Sequence, residues 1–253
     1  MFARRVSIQV CGLGAVVLGI TGLFWGDFGV VWQPISNGVA VRGTALGYAV
    51  SVLPLLAGLA MQLQRAAYFG ALALTVLYAL AEIILDFPRG FAQPSVFVAW
   101  YVVPEHLALA AGTLIICTYY ARLKPATAER LSKIARVVFG ICLIYFGLAH
   151  HFYLANTVSL VPAWLPPNQT FWAYATAAGH IAAGIAIISG IYARLGAMLL
   201  TAMFIVFAIL VHAPTVLTNT HNHFAWGENA VNFALIGSAW VIAASIPVGK
   251  AKA

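Results

Sequence analysis

The sequence predicts an all-α polytopic membrane protein: eight transmembrane helices, arranged as two tandem four-helix bundles in the same orientation. Three observations predict it. Of 253 residues, 63% are hydrophobic and 8% charged, and mean hydropathy is strongly positive, more apolar surface than a soluble domain of this length can bury. Eight apolar runs each approach the roughly 20 residues that cross a hydrocarbon layer of about 30 Å. The chain also matches itself at a fixed offset.

The first run, 7–26, follows Arg4 and Arg5 and reads as an uncleaved helix. Its apolar core from Val6 to Trp25 exceeds the ~7–15 residues of a signal-peptide core. The runs 44–63 and 66–87 complete a pair separated by a short polar break, and 95–120 carries Pro104 ahead of Glu105 and His106. After the basic segment "ARLKPATAERLSKIAR" come 135–155, 171–191, 194–213 and 224–246, each bounded by Gly, Pro or charge. These runs are too long and too weakly alternating for outer-membrane strands, which need about 9–11 residues with a period of two.

At an offset of 126, residues 57–88 lie on 183–214, aligning Gly58 with Gly184, Gly70 with Gly196, Thr75 with Thr201 and Pro88 with Pro214. Trp100 then falls on Trp226. At 128, Gly12, Gly19, Phe24 and Pro34 fall on Gly140, Gly147, Phe152 and Pro162. The expected organisation is therefore a repeat at 1–120, a basic cytoplasmic linker at 121–134 and a second repeat at 135–253. Four helices per unit is an even number, so both copies enter the membrane alike, about an axis along its normal.

Charge orients the bundle. With the N-terminus cytoplasmic, eleven of the 13 Lys and Arg fall on the inner side (Arg4, Arg5, Arg65, Arg122, Lys124, Arg130, Lys133, Arg136, Arg194, Lys250 and Lys252), leaving Arg42 and Arg89 outside. The expectation is a multi-pass protein of a bacterial-type cytoplasmic (inner) membrane with both termini cytoplasmic. The net charge of +7 then reflects topology and anionic lipid headgroups, and requires no nucleic-acid partner.

Imidazoles concentrate in the second half. His150 and His151 end the fifth run, His180 lies within the sixth, His212 ends the seventh before Pro214, His221 and His223 occupy the following loop, and Glu228 opens the eighth. Ionisable groups in membrane spans usually face an interior. The expected site is an outward-opening cavity with His180 at depth, His150 and His212 on its wall and Glu228 at its rim. His212, at a helix C-terminus, is expected to pair with Glu228 as a proton port. Imidazole chemistry makes His221, His223 and His212 candidate ligands for a transition metal. The competing reading is that these groups only hydrogen-bond to headgroups or clamp the loop. A second polar set comprises Glu82 and Asp86 at i and i+4, then Glu105 and His106, with Asn232 aligned to His106. It reads as a proton relay or the polar end of a quinone or lipid pocket, against the plainer reading of a buried hydrogen-bonded brace.

Cys11, Cys117 and Cys142 show no C-x-x-C spacing and all fall toward the reducing inner side, which argues against thiol–disulfide exchange. No phosphate loop or dinucleotide fingerprint is present in the sequence.

The run "FWAYATAAGHIAAGIAIISGIYARLGAMLLTAMFIVFAILVHAP", continuing to "HFAWGENAVNFALIGSAWVIAAS", resembles the DoxX family and its DoxX-like relatives. The resemblance rests on Gly-His-Ile-Ala-Ala-Gly, Ala-Arg-Leu-Gly at 193–196, Val-His-x-Pro and Trp-x-Glu. It covers most of 135–246 and, more faintly, the first half. His180, Arg194, His212, Trp226 and Glu228 are the positions it carries over. It implies four-helix membrane units, some associated with quinone-linked sulfur oxidation or redox-stress complexes.

Two functions are therefore expected. One is a quinone- or metal-linked subunit, at most an accessory oxidoreductase component, working with a membrane or periplasmic redox partner. The alternative is a non-catalytic module: a small-solute or lipid transporter, or an assembly partner of a membrane complex.

Overall fold

The computed structural model describes residues 2–26 and 44–247. Pro34, Arg42, Lys250 and Lys252, which enter the repeat and charge patterns, lie outside them. The long helices are α1 (Phe2–Trp25), α2 (Ala45–Gln62), α3 (Ala67–Ala92), α4 (Val103–Tyr120), α5 (Pro125–Phe152), α6 (Gln169–Ser189), α7 (Ala193–Thr218) and α8 (His223–Ser245). Short helical turns cover Phe97–Trp100 and Leu154–Leu160, and no strand occurs among the described residues.

Six helices, α1, α2, α3, α5, α6 and α7, are long and apolar enough to cross a membrane, making this a multi-pass membrane protein. The other two, α4 and α8, are the most enclosed: twelve of the 18 residues of α4 and fourteen of the 23 of α8 are buried. A helix surrounded by protein can carry polar residues that a lipid-facing one cannot, which explains their lower apolarity. Outward-facing large side chains such as Leu56, Phe69, Ile141 and Leu199 belong to the peripheral helices.

The halves interlock instead of forming separable bundles. Helix α1 packs on α2 and on α8; equivalently, α5 packs on α6 and on α4, while α4 meets α8 at the centre. Small residues permit the closest crossings. A methyl group on Gly12 would meet the Gly58 carbonyl at 2.8 Å, and one on Gly140 the Gly184 carbonyl at 2.9 Å.

The repeat persists in detail. Helix α3 consists of an α segment (Ala67–Ala81), a π turn (Glu82–Asp86) and a final α segment (Phe87–Ala92). Helix α7 repeats this at the same offset of 126: Ala193–Phe207, Ala208–His212 and Ala213–Thr218. The Trp100 indole donates to the Pro94 carbonyl and the Trp226 indole to that of Thr220, each six residues back.

Several sequence expectations change. Pro88 and Pro214 do not end their helices: each sits in the first turn after a π turn, where the missing N–H is tolerated, so both helices continue for four further residues. His212 is therefore in mid-helix, not at a C-terminus. Pro104 occupies the first turn of α4, and 97–102 is a 3-10 turn and bend instead of part of a long span. The basic segment assigned as a linker is helical from Pro125 and continuous with α5, since proline at N1 followed by Ala, Glu, Arg and Leu favours helix. His223 is the first residue of α8, because Asn222 caps that helix by accepting from the Ala225 N–H at 3.0 Å.

The basic ends collect together. The Arg4 guanidinium stacks 4.2 Å over the Tyr119 ring, and Arg136 pairs with Glu129 at 2.9 Å while reaching the Ser245 carbonyl at 3.5 Å. The start of α1, the end of α4, the start of α5 and the end of α8 thus share one end of the bundle.

Candidate functional site

Two polar interiors emerge, one in each half. In the second, α5 and α6 bring His150 and His180 together, with ring centroids 4.9 Å apart and nearly perpendicular. Thr176, one turn before His180, connects them. Its hydroxyl donates to the Trp172 carbonyl at 2.8 Å and lies 3.1 Å from His150 Nδ1; its carbonyl lies 2.9 Å from His180 Nδ1. A carbonyl only accepts, so His180 Nδ1 carries a proton, and the hydroxyl proton is already committed, so His150 Nδ1 also donates. In their neutral forms both rings therefore keep their lone pair on Nε2. Phe146, Phe204 and Phe207 surround His180 at centroid distances of 5.9, 5.6 and 6.0 Å, and Phe207 also lies 6.2 Å from His150. His180 is buried and His150 half-buried, so the pair runs from interior toward periphery.

In the first half, the π turn of α3 presents Glu82 and Asp86 to His106 at the start of α4. His106 Nδ1 lies 2.7 Å from Asp86 Oδ2 and 3.6 Å from Glu82 Oε1. Glu82 is 1% exposed, and neither carboxylate oxygen has a hydrogen-bond partner. Tyr78, one turn earlier on α3, stacks on His106 with centroids 6.0 Å apart. Buried Glu105 lies within electrostatic reach of Glu228, Asp86 and Glu82. In the bend before α4, the Tyr101 phenol is pushed well up from its ordinary range, first by the Glu228 carboxylate, then by burial and by Glu105.

The remaining sequence candidates are placed differently. His212 is half-buried in the π turn of α7 and forms no ion pair with Glu228 among the described residues. The expected imidazolium–carboxylate port is absent there. Its chemistry occurs in the other copy, where Asp86, aligned with His212, meets His106. Asn232, aligned with His106, donates from Nδ2 to the Phe204 carbonyl at 3.0 Å, bracing α8 against α7. His221 is exposed, and the half-buried His223 ring packs 4.8 Å from that of Trp25. His212, His221 and His223 are not gathered as one ligand set; among the described residues, Glu82, Asp86 and His106 are the group whose ligand atoms all lie within 4.8 Å. Arg194 is half-buried at the start of α7, and Trp226 closes the α7–α8 loop while facing Phe24 at 6.5 Å.

Sequence reasoning grouped Glu82, Asp86, Glu105 and His106 as one polar set without naming the Asp86–His106 contact, and missed Thr176 and the phenylalanines around His180. The joining signal was present. Asp86 aligns with an imidazole and His106 with an amide, so two neighbouring positions changed chemistry between copies.

Residues 131–213 match the DoxX family model. No curated protein and no solved structure matches the chain. The DoxX segment contains His150, Thr176, His180, Arg194 and His212, spanning the imidazole–aromatic interior; Trp226 and Glu228 lie beyond it.

Proposed function

We propose that the protein is a quinone-linked, redox-associated membrane subunit whose DoxX segment binds the reduced, quinol form of a membrane-soluble carrier. The observation that carries this reading is the His150–Thr176–His180 arrangement. Two neutral imidazoles hold their Nδ1 protons in internal hydrogen bonds and present Nε2 lone pairs, which accept hydrogen bonds from phenolic O–H groups but offer nothing to the carbonyls of the oxidised form. Phe146, Phe204 and Phe207 supply faces and edges against which an aromatic head can pack. A lipid-soluble carrier would arrive from the bilayer along the half-buried His150 side. With no nucleotide-binding motif in the sequence, the electrons exchanged would belong to the carrier and to a partner protein. The reading includes eight membrane crossings as two same-orientation repeats, α4 and α8 crossing inside a jacket of the other six, with both termini on the cytoplasmic side of an inner membrane.

Photoaffinity labelling in nanodiscs tests it. An azido-quinone, reduced before illumination, is expected to label peptides of α5, α6 and α7, with unlabelled quinol competing better than unlabelled quinone. Label spread over all helices, or insensitive to quinol, would favour the alternative of a non-catalytic solute, lipid or assembly module.

A further inference from the structure

We propose that the first half holds a divalent first-row transition-metal ion, ligated by Glu82, Asp86 and His106. This site lies in the opposite half from the imidazole–aromatic interior and stands independently of quinol binding.

Geometry comes first. Three ligands of two types, carboxylate and imidazole, come from two helices, with every ligand atom within 4.8 Å of the others. Around a tetrahedral ion with arms of about 2.0–2.1 Å, ligand atoms stand roughly 3.3 Å apart. His106 Nδ1 lies 2.7 Å from one carboxylate and 3.6 Å from the other, on either side of that spacing, so shifts below an ångström would seat the ion. The fourth position is left for water or another donor, as in open metal sites.

Charge balance is the second argument. Two carboxylates and a neutral imidazole around a divalent cation sum to zero, the least costly total within a membrane bundle. Without the ion, Glu82 remains 1% exposed with both oxygens lacking hydrogen bonds, an expensive state for a side chain that could have been apolar, as its aligned partner Ala208 is. No lysine or arginine pairs with Glu82 or Asp86 among the described residues.

Backbone structure is the third. Glu82 and Asp86 bound a π turn, and π turns inside α-helices occur frequently at functional sites. The second half retains the turn but places Ala208 and His212 at its ends, so the ligand set belongs to one copy only. Mixed carboxylate and imidazole ligation selects ions of the Mn, Fe or Zn kind over Mg or Ca.

The test uses full-length protein in nanodiscs, stripped with chelator and then titrated with Zn²⁺, Mn²⁺ or Co²⁺. The wild type is expected to bind one ion per chain, to melt at higher temperature when loaded, and to show Co²⁺ ligand-field absorption. Glu82→Gln, close in shape, and Asp86→Asn should each weaken affinity at least about tenfold, while a His221→Ala/His223→Ala double variant should bind as the wild type does. Absence of both absorption and thermal shift in the wild type would overturn the proposal, whatever the folding of the variants. Loss of the ion in the His221/His223 double variant, with retention in Glu82→Gln, would overturn it equally.

Discussion

Asp86 and His212 occupy equivalent places at the ends of equivalent π turns, and the difference between them decides what each half can assemble. The carboxylate recruits His106 across the helix interface; in the second half the position aligned with His106 is Asn232, which bonds to backbone instead. Residue types were legible in the sequence, partners were not. An i, i+4 pair such as Glu82 and Asp86 can be read from spacing, but a pairing between helices depends on rotation, which a π turn alters by adding a residue to one turn. The expected His212–Glu228 ion pair is not formed among the described residues, while Asp86 pairs with His106. At this scale Asn232→Leu, which keeps volume and removes the donor, should cost about 1 kcal/mol, the usual worth of an interhelical hydrogen bond in a membrane protein. Reversible unfolding in mixed micelles measures it. Thr176→Val removes the hydroxyl beside His150 and leaves the backbone carbonyl that holds His180, so photoaffinity labelling by quinol should weaken while the unfolding free energy changes little.

Helix pairs were legible to within a few residues wherever lipid forces apolarity, and poorly legible where protein surrounds the helix. The run 95–120 illustrates the failure: its first part is apolar enough to read as span, yet it forms a 3-10 turn and bend whose Trp100 clamps the Pro94 carbonyl. Glycine spacing, in contrast, was informative without a structure. Gly12 faces Gly58, and Gly140 faces Gly184, so the aligned glycines mark an equivalent close crossing in each copy. Added methyl groups at Gly58 or Gly184 would press on the facing Gly12 or Gly140 carbonyl. Each Gly→Ala substitution should therefore destabilise by about 1–3 kcal/mol. Gly179 provides the control: a methyl there meets only the flexible end of Met203, at 3.3 Å, and Gly179→Ala should be neutral or stabilising by up to about 1 kcal/mol through helix propensity. Equal losses at all three positions would sink the crossing argument.

Over the whole molecule, duplication supplied a scaffold twice and polar interiors that differ. The scaffold's doubling was visible as a fixed offset, and it survives in matched π turns and matched tryptophan clamps. The interlocking was not legible: α1 lies on α8, a contact between segments far apart in the chain, and α4 lies on α5 across the expected boundary between the two bundles. Residues 1–120 expressed alone should fail to fold and should recover when co-expressed with 121–253; independent folding of either half would contradict the interlocked packing. The proposed topology rests on the shared basic end, where Arg4, Tyr119 and Arg136 gather. In a variant lacking native cysteines, a cysteine at Ala126 should react with an impermeant maleimide only after the cells are opened, whereas one at Asn168 should react in intact cells. The most direct test of divergence between the halves is quinol binding to the purified protein in nanodiscs, compared across His180→Phe and Asp86→Asn. The account predicts that His180→Phe abolishes binding while Asp86→Asn leaves it within a factor of about two; loss in Asp86→Asn with retention in His180→Phe would contradict it.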